Sequence, residues 1–320
     1  MDELNNQATE IETEATSEIL ATETKSTDDI FLTEQTVVKR DPAKPNPFVQ
    51  IIKGLAYFLV FIGAQVAATM IVMIYFGVKK AFEYASMGIQ PAEHAYEFAA
   101  YMESQTLGNM NLILFINTGI LLLALLIWFA IRKKNIFVET RIHKFSPKLL
   151  PVLLLITVGL VFFINSVLNL LPEAWIASYS SDSSFINDGT LLASMIAQAL
   201  CAPLTEEISF RGLMLSRFNK GLPAWIGIVI SSVLFGLVHG NAIWFVYAAL
   251  LGAIFCLIAN RTGSILPTLL LHILFNAVGT GLSYSGVGFT TIAYAIFALI
   301  GAGILAVGFT WFFKSTKSAS

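Results

Sequence analysis

Apolar runs recur along the chain from about residue 51 to 313, separated by short polar breaks. A membrane-crossing helix needs about 20 mostly apolar residues to span about 30 Å of hydrocarbon. Eight runs meet or approach that length. Hydropathy places them at about 51–77, 110–131, 149–171, 190–217, 223–240, 242–260, 264–282 and 289–313. The pattern predicts an all-α, polytopic integral membrane protein with about eight transmembrane helices. It also divides the chain into a tail, 1–47, helices 1–3 with their loops, 48–189, a C-terminal membrane core, 190–313, and a short basic tail, 314–320. The connection 79–109 is polar, with Glu83, Glu93, Glu97 and Glu103, and reads as a long loop.

Composition supports the membrane class. Of 320 residues, 56% are hydrophobic and 12% charged, against about 25% charged in a soluble domain. The net charge of −2 conceals an asymmetry. Residues 1–45 hold 11 acidic and 4 basic groups, net −7, and the remainder is +5. A tail this rich in Glu, Thr, Ser, Asn and Asp buries too little apolar surface to offset its chain entropy and is expected to be disordered. No cleavable signal peptide is expected, since the start is acidic and polar. The two cysteines, Cys201 and Cys256, lie in apolar runs, so no disulfide framework or cysteine-based zinc site is implied.

Basic residues in short loops set orientation. Lys39, Arg40 and Lys44 precede the first run, and Arg132 to Lys148 follow the second. Arg217, Lys220, Arg261, Lys314 and Lys317 fall on the same side if eight spans exist and both termini are cytoplasmic. Lys79 and Lys80 break the pattern. Small residues Gly301, Ala302, Gly303, Ala306 and Gly308 suit close helix packing in the last run. The Gly-rich stretch 279–288 lacks the Lys-Ser/Thr of a phosphate loop and reads as a connection.

Against this apolar background, Glu206, Glu207 and Arg211 stand out. Ionisable groups inside a membrane are costly and mark functional sites by default. Glu207 and Arg211 are four apart and share a helical face. Glu206 is turned about 100° away, which leaves it the carboxylate available as a general base or acid. Pro203 removes a helix hydrogen bond just upstream. Phe235 and His239 are four apart on one run, and His272 and Asn276 on another. Asn can stabilise a developing oxyanion, and neutral His can do so or bind metal. No Ser or Cys stands beside a recognisable base, although Ser209 and Cys201 lie nearby. His94 and His143 are loop residues with no assigned role.

Glu-Glu-x-x-x-Arg at 206–211, Phe-x-x-x-His at 235–239 and His-x-x-x-Asn at 272–276 resemble the three signature motifs of the CPBP family. That family includes CAAX prenyl endopeptidases, bacterial Abi-type membrane proteases and bacteriocin-immunity proteins. Each motif alone is weak, but all three in order on apolar runs are specific. The resemblance covers about 190–282 and includes Thr262-Gly263-Ser264-Ile265-Leu266-Pro267. It implies that 190–313 is a catalytic core of an intramembrane endopeptidase in a bacterial plasma membrane. By analogy, Glu206 with His239 would activate water, and His272 with Asn276 would hold the oxyanion. Glu207, Arg211 and Phe235 would support them. A zinc reading would make His239, His272 and a glutamate the ligands; a metal-free glutamate mechanism is equally open, and no His-Glu-x-x-His motif is present. The expected partners are the bilayer and a peptide or protein substrate in or at the membrane, with no nucleic acid. Two other functions compete: a non-proteolytic immunity or scaffold protein of the same fold, and an ion- or proton-coupled transporter. The ionisable groups all lie in the C-terminal half, without the internal symmetry common in transporters.

Overall fold

The computed structural model describes residues 45–90, 92–175 and 189–317. The acidic tail expected over 1–47 lies outside the described residues except at its last three positions, as do most of the 172–189 loop and residues 318–320. Helices account for the regular structure, and no strand occurs among the described residues. In order they are α1 (Pro47–Ser86), α2 (Ala95–Leu107), α3 (Met110–Ile131), the short α4 (Ile136–Glu139) and α5 (Leu150–Asn169), entered through one 3₁₀ turn. Then come α6 (Leu191–Gly221), α7 (Ala224–Leu237), α8 (Ala242–Thr262), α9 (Leu266–Ser285) and α10 (Thr291–Lys317).

Seven of these helices are long and apolar enough to cross a membrane. The eighth expected span forms the shorter α7, whose 14 residues extend only about 21 Å. The chain turns at 238–241 and re-enters a helix at Ala242. The 79–109 connection is more ordered than its polarity predicts. Lys80 bonds Glu83 one turn on and lies over the rings of Tyr84 and Tyr101, which carries α1 on to Ser86 and docks α2 beside it. The Gly-rich stretch 279–288 is a connection only from Gly286 onward. Residues 279–285 are the final turns of α9, which Gly286 ends in a left-handed conformation, φ +63°.

Large apolar side chains cover the outer faces: Leu299 is 76% exposed, Ile292 74% and Leu192 70%. Apolar surface on this scale would be unusual on a soluble monomer and suits hydrocarbon. Inside, one cluster gathers Phe61, Leu121, Phe210, Phe218 and Phe235 from α1, α3, α6 and α7. A second gathers Val152, Ile156, Phe255, Leu271 and Phe312 from α5, α8, α9 and α10. The second is closed by small residues, as the sequence predicts. A Cβ at Gly301 would fall 2.6 Å from the backbone nitrogen of Phe163, and one at Gly308 would fall 2.9 Å from Ile156. Gly303 faces open space and takes no part.

Helix α6 contributes Phe210, Leu213, Met214 and Phe218 to the first cluster, and it is not a uniform α-helix. Met195–Cys201 and Glu207–Met214 are wound as π-helix, with α-helical Ala202–Glu206 between them. Pro203 accounts for the first widening, because its ring displaces the carbonyl of the preceding turn and it has no N–H to donate.

Candidate active site

Glu206 and Glu207 sit at the midpoint of the 31-residue α6, and their surroundings differ completely. Glu207 is fully buried and its carboxylate is saturated. Oε1 accepts from Arg211 Nη1 at 3.0 Å and from His272 Nδ1 at 3.0 Å, and Oε2 accepts from Thr268 Oγ1 at 2.7 Å. The i,i+4 pairing of Glu207 with Arg211 is therefore present. Glu207 does more than balance Arg211, since it ties α6 to two positions four apart on α9.

Arg211 is also fully buried. Its Nε and Nη2 find no hydrogen-bond acceptor among the described residues. Aromatic faces replace them. The guanidinium lies 4.1 Å from the Phe235 ring centroid and 5.3 Å from that of Phe255, within the range of cation–π attraction. Gly252 makes room: a Cβ there would lie 3.2 Å from Phe235 and 3.4 Å from Arg211 Nη2. Phe235 therefore supports Arg211 and the site's histidines together, since its ring also packs edge-on against His239 and His272. Phe235 and Phe255 belong to the two separate clusters, which places the site at their seam.

Glu206 keeps 14% of its side-chain surface. Among the described residues its carboxylate accepts no hydrogen bond and makes one ion-pair contact, to His272 Nε2 at 3.6 Å. His272 thus stands between the two glutamates, with one ring nitrogen toward each. A carboxylate only accepts, so Nδ1 of His272 carries a proton.

His239 lies just beyond the end of α7 rather than within it. A helix end leaves carbonyls without partners, and the His239 ring takes one of them, Nδ1 to Phe235 O at 2.7 Å. A carbonyl only accepts, so Nδ1 donates and Nε2 of the neutral ring is left as a base. Glu206 is within electrostatic reach of that ring.

Asn276 reaches the site by a different route. Its Nδ2 donates to the backbone carbonyl of Gln198 at 2.9 Å. The N–H of Ala202 bonds Ala197 O, five residues back. In the same register, the carbonyl of Gln198 would need the N–H of residue 203, which is proline. Asn276 takes up the carbonyl that Pro203 leaves free. The Gln198 side chain continues the connection to Asn111 Oδ1 at 3.0 Å, and Asn111 to Ser194 Oγ at 2.9 Å. Ser194 meets Tyr284 at 2.9 Å, again on α9. The residues marked in the sequence are thus brought to one region, with Asn276 held on the upstream π-segment.

Thr268, Phe255, Gly252, Gln198 and Asn111 were not among the sequence-predicted residues. Thr268 had a signal, being one turn before His272 on the same face. The zinc set suggested by the resemblance does not fit this arrangement. Among the described residues no three His, Cys, Asp or Glu side chains form a metal-binding group.

Comparison with known proteins bears on the same stretch. Residues 188–278 match the Rce1-like family, the type II CAAX prenyl endopeptidases. An uncharacterized 24.3 kDa protein of Escherichia coli is 29% identical over 138 residues, which cover 42% of this chain and 62% of that protein. No solved structure gives a significant match.

Proposed function

We propose that this protein is an intramembrane endopeptidase that hydrolyses a peptide bond with water activated by Glu206. The Rce1-like match over 188–278 supports a membrane protease at the level of the family. The observation that carries the residue assignment is the contrast at α6: Glu207 is saturated, while among the described residues the adjacent Glu206 makes one ion-pair contact, to His272 Nε2, and accepts no hydrogen bond.

In this mechanism a water accepts orientation from His239 Nε2 and gives its proton to Glu206. Its oxygen attacks the carbonyl carbon of the scissile bond. The oxyanion formed is held by His272, through a proton on Nε2, and by the second N–H of the Asn276 amide. With His272 as imidazolium, two carboxylates, one guanidinium and one imidazolium sum to zero, which suits a buried cluster. Collapse breaks the carbon–nitrogen bond, and the leaving amine takes the proton from Glu206. No covalent intermediate forms, and no step passes through a metal.

The test is cleavage of membrane-tethered reporter peptides by reconstituted protein, with products read by mass spectrometry. Prenylated and unmodified C-terminal reporters are run in parallel. Glu206→Ala, His239→Ala and His272→Ala should each lose cleavage. Retention of wild-type rates by all three rejects the assignment. Bound zinc and chelator sensitivity are measured on the same preparation, and a chelator-sensitive enzyme that recovers with zinc overturns the metal-free reading. Substrates are found by comparing membrane and secreted peptides from cells carrying wild type and Glu206→Ala.

A further inference from the structure

At the C-terminal end of α6, a recess of about 400 Å³ opens between that helix and the loop after α3. Its lining includes Glu139, Arg141, Ser216, Arg217, Asn219 and Lys220. Lys134 and Lys53 stand within electrostatic reach of Lys220. Arg141, Arg217 and Lys220 line the recess and Lys134 bonds its one carboxylate, Glu139, so four cations from two parts of the chain meet there.

That carboxylate is already spent. Glu139 Oε2 accepts from Arg217 Nη2 at 2.8 Å, and Oε1 from Lys134 Nζ at 2.9 Å. The Lys134 hydrogen bond, with Arg217 and Lys220 nearby, holds the Glu139 carboxyl below its ordinary range. Arg141 is committed elsewhere, its Nε donating to Gly263 O at 3.1 Å and its Nη2 to Ala259 O. Lys220 makes no hydrogen bond among the described residues, and Arg217 and Lys134 keep further N–H groups. Like charges crowded together repel, so the cluster lacks a counter-ion.

Its position suggests the source of one. Ile131 ends α3, Gly221 ends α6 and Thr262 ends α8, and Asn219 Nδ2 bonds Asn260 Oδ1 at 2.8 Å across the last two. Three apolar helices end near this recess, and the ends of spanning helices lie where hydrocarbon gives way to headgroups. Basic pockets at this depth bind anionic headgroups, and a guanidinium fork beside ammonium groups suits a phosphate. We propose that this recess is a binding site for a phosphate group, borne by an anionic lipid headgroup. The proposal is independent of the hydrolytic reading.

The test uses the full-length protein in neutral detergent, with thermal stability and native mass spectrometry read against added phosphatidylglycerol, phosphatidylcholine or inorganic phosphate. Phosphatidylglycerol should bind and raise the melting temperature, and phosphatidylcholine should not. Lys134→Gln with Lys220→Gln should weaken binding roughly 30-fold, at about one Lys-sized contribution per side chain. Lys144→Gln with Lys314→Gln, which removes the same charge elsewhere, should leave binding intact. Lys220→Arg keeps the charge and should keep binding, which controls for misfolding. Protection by phosphatidylglycerol alone supports a lipid ligand, and equal protection by inorganic phosphate supports the phosphate chemistry with a soluble source. Equal loss in the two double variants, or equal binding of both lipids, overturns the site.

Discussion

Glu206 and Glu207 are consecutive residues of one helix, yet they occupy opposite kinds of environment. The Glu207 half of the site is closed, with Arg211, His272 and Thr268 filling the carboxylate and Phe235 and Phe255 covering the guanidinium. The Glu206 half is open, with one ion-pair contact among the described residues, at 3.6 Å, and some surface left uncovered. A buried charge is tolerated when every lone pair has a partner. A catalytic carboxylate needs lone pairs to spare. The site meets both demands by dividing them between neighbours, and His272 joins the halves. Glu207 fixes the ring of His272, so the closed half sets the geometry of the open half.

The strongest way to break this comparison is to exchange the phenotypes of the two glutamates. Glu206→Gln should lower cleavage by about 10² to 10⁴-fold, the usual contribution of a general base. It should destabilise the protein by about 1 kcal/mol, well below the cost at Glu207, because its carboxylate makes one ion-pair contact among the described residues and accepts no hydrogen bond. Glu207→Gln should instead destabilise the protein by about 3–5 kcal/mol, since Arg211 is left as an uncompensated buried charge. Glu207→Gln with Arg211→Met should recover much of that stability and none of the cleavage, because His272 has lost its anchor. A stable Glu207→Gln, or an unstable Glu206→Gln, would reverse the assignment.

Pro203→Ala sharpens the same contrast through the backbone. It returns an N–H to α6, which competes with Asn276 for the Gln198 carbonyl. Proline in a helix interior is unfavourable by about 3 kcal/mol relative to alanine, so the variant should be as stable as wild type or more so. Its kcat should fall by about 10- to 100-fold as Asn276 loses its position, a magnitude typical of misplacement by about 1 Å. The KM should change little. Stability and kcat falling together would mean that Pro203 is a packing residue alone.

Much of this was legible in the sequence because charge in an apolar run is conspicuous. Glu206, Glu207, Arg211, His239 and His272 stood out by cost alone, and helical spacing paired Glu207 with Arg211. The spans followed from length and hydropathy. The helix ends were less legible. Residues 79–86 and 279–285 are polar or Gly-rich enough to read as loops, yet they continue helices through contacts such as Lys80 over Tyr84 and Tyr101. Helical spacing put His239 on the α7 face, where the structure places it beyond the helix end and bonded to a carbonyl that the end exposes. The π-segments had no readable sign apart from Pro203, because a shift from four-residue to five-residue register depends on which carbonyls the neighbouring helices satisfy. Phe255 and Gly252 were invisible for a similar reason. Their roles arise from α8 packing against α6, and each alone is an ordinary residue of a membrane helix.

The smallest expected effect comes from a second glutamate–arginine pair, in which Arg217 of the same helix meets Glu139 at the end of α4. Glu139 bonds Arg217 at 2.8 Å, six positions beyond Arg211, with both side chains partly in solvent. Its carboxylate also has a partner on each oxygen, so satisfaction alone would predict a comparable cost of removal. Solvent screening predicts otherwise: exposed ion pairs contribute about 0.2–1 kcal/mol. The Glu139 carboxyl is held below its ordinary range, first by the Lys134 hydrogen bond. A depressed folded-state pKa gives stability that is present above the unfolded value, about 4.3, and is lost as pH falls through the folded value. The melting difference between wild type and Glu139→Gln should therefore be small and constant from about pH 8 to pH 5, and shrink below about pH 4. Added salt should reduce it. A difference as large as that of Glu207→Gln would show that burial is not what separates the two pairs.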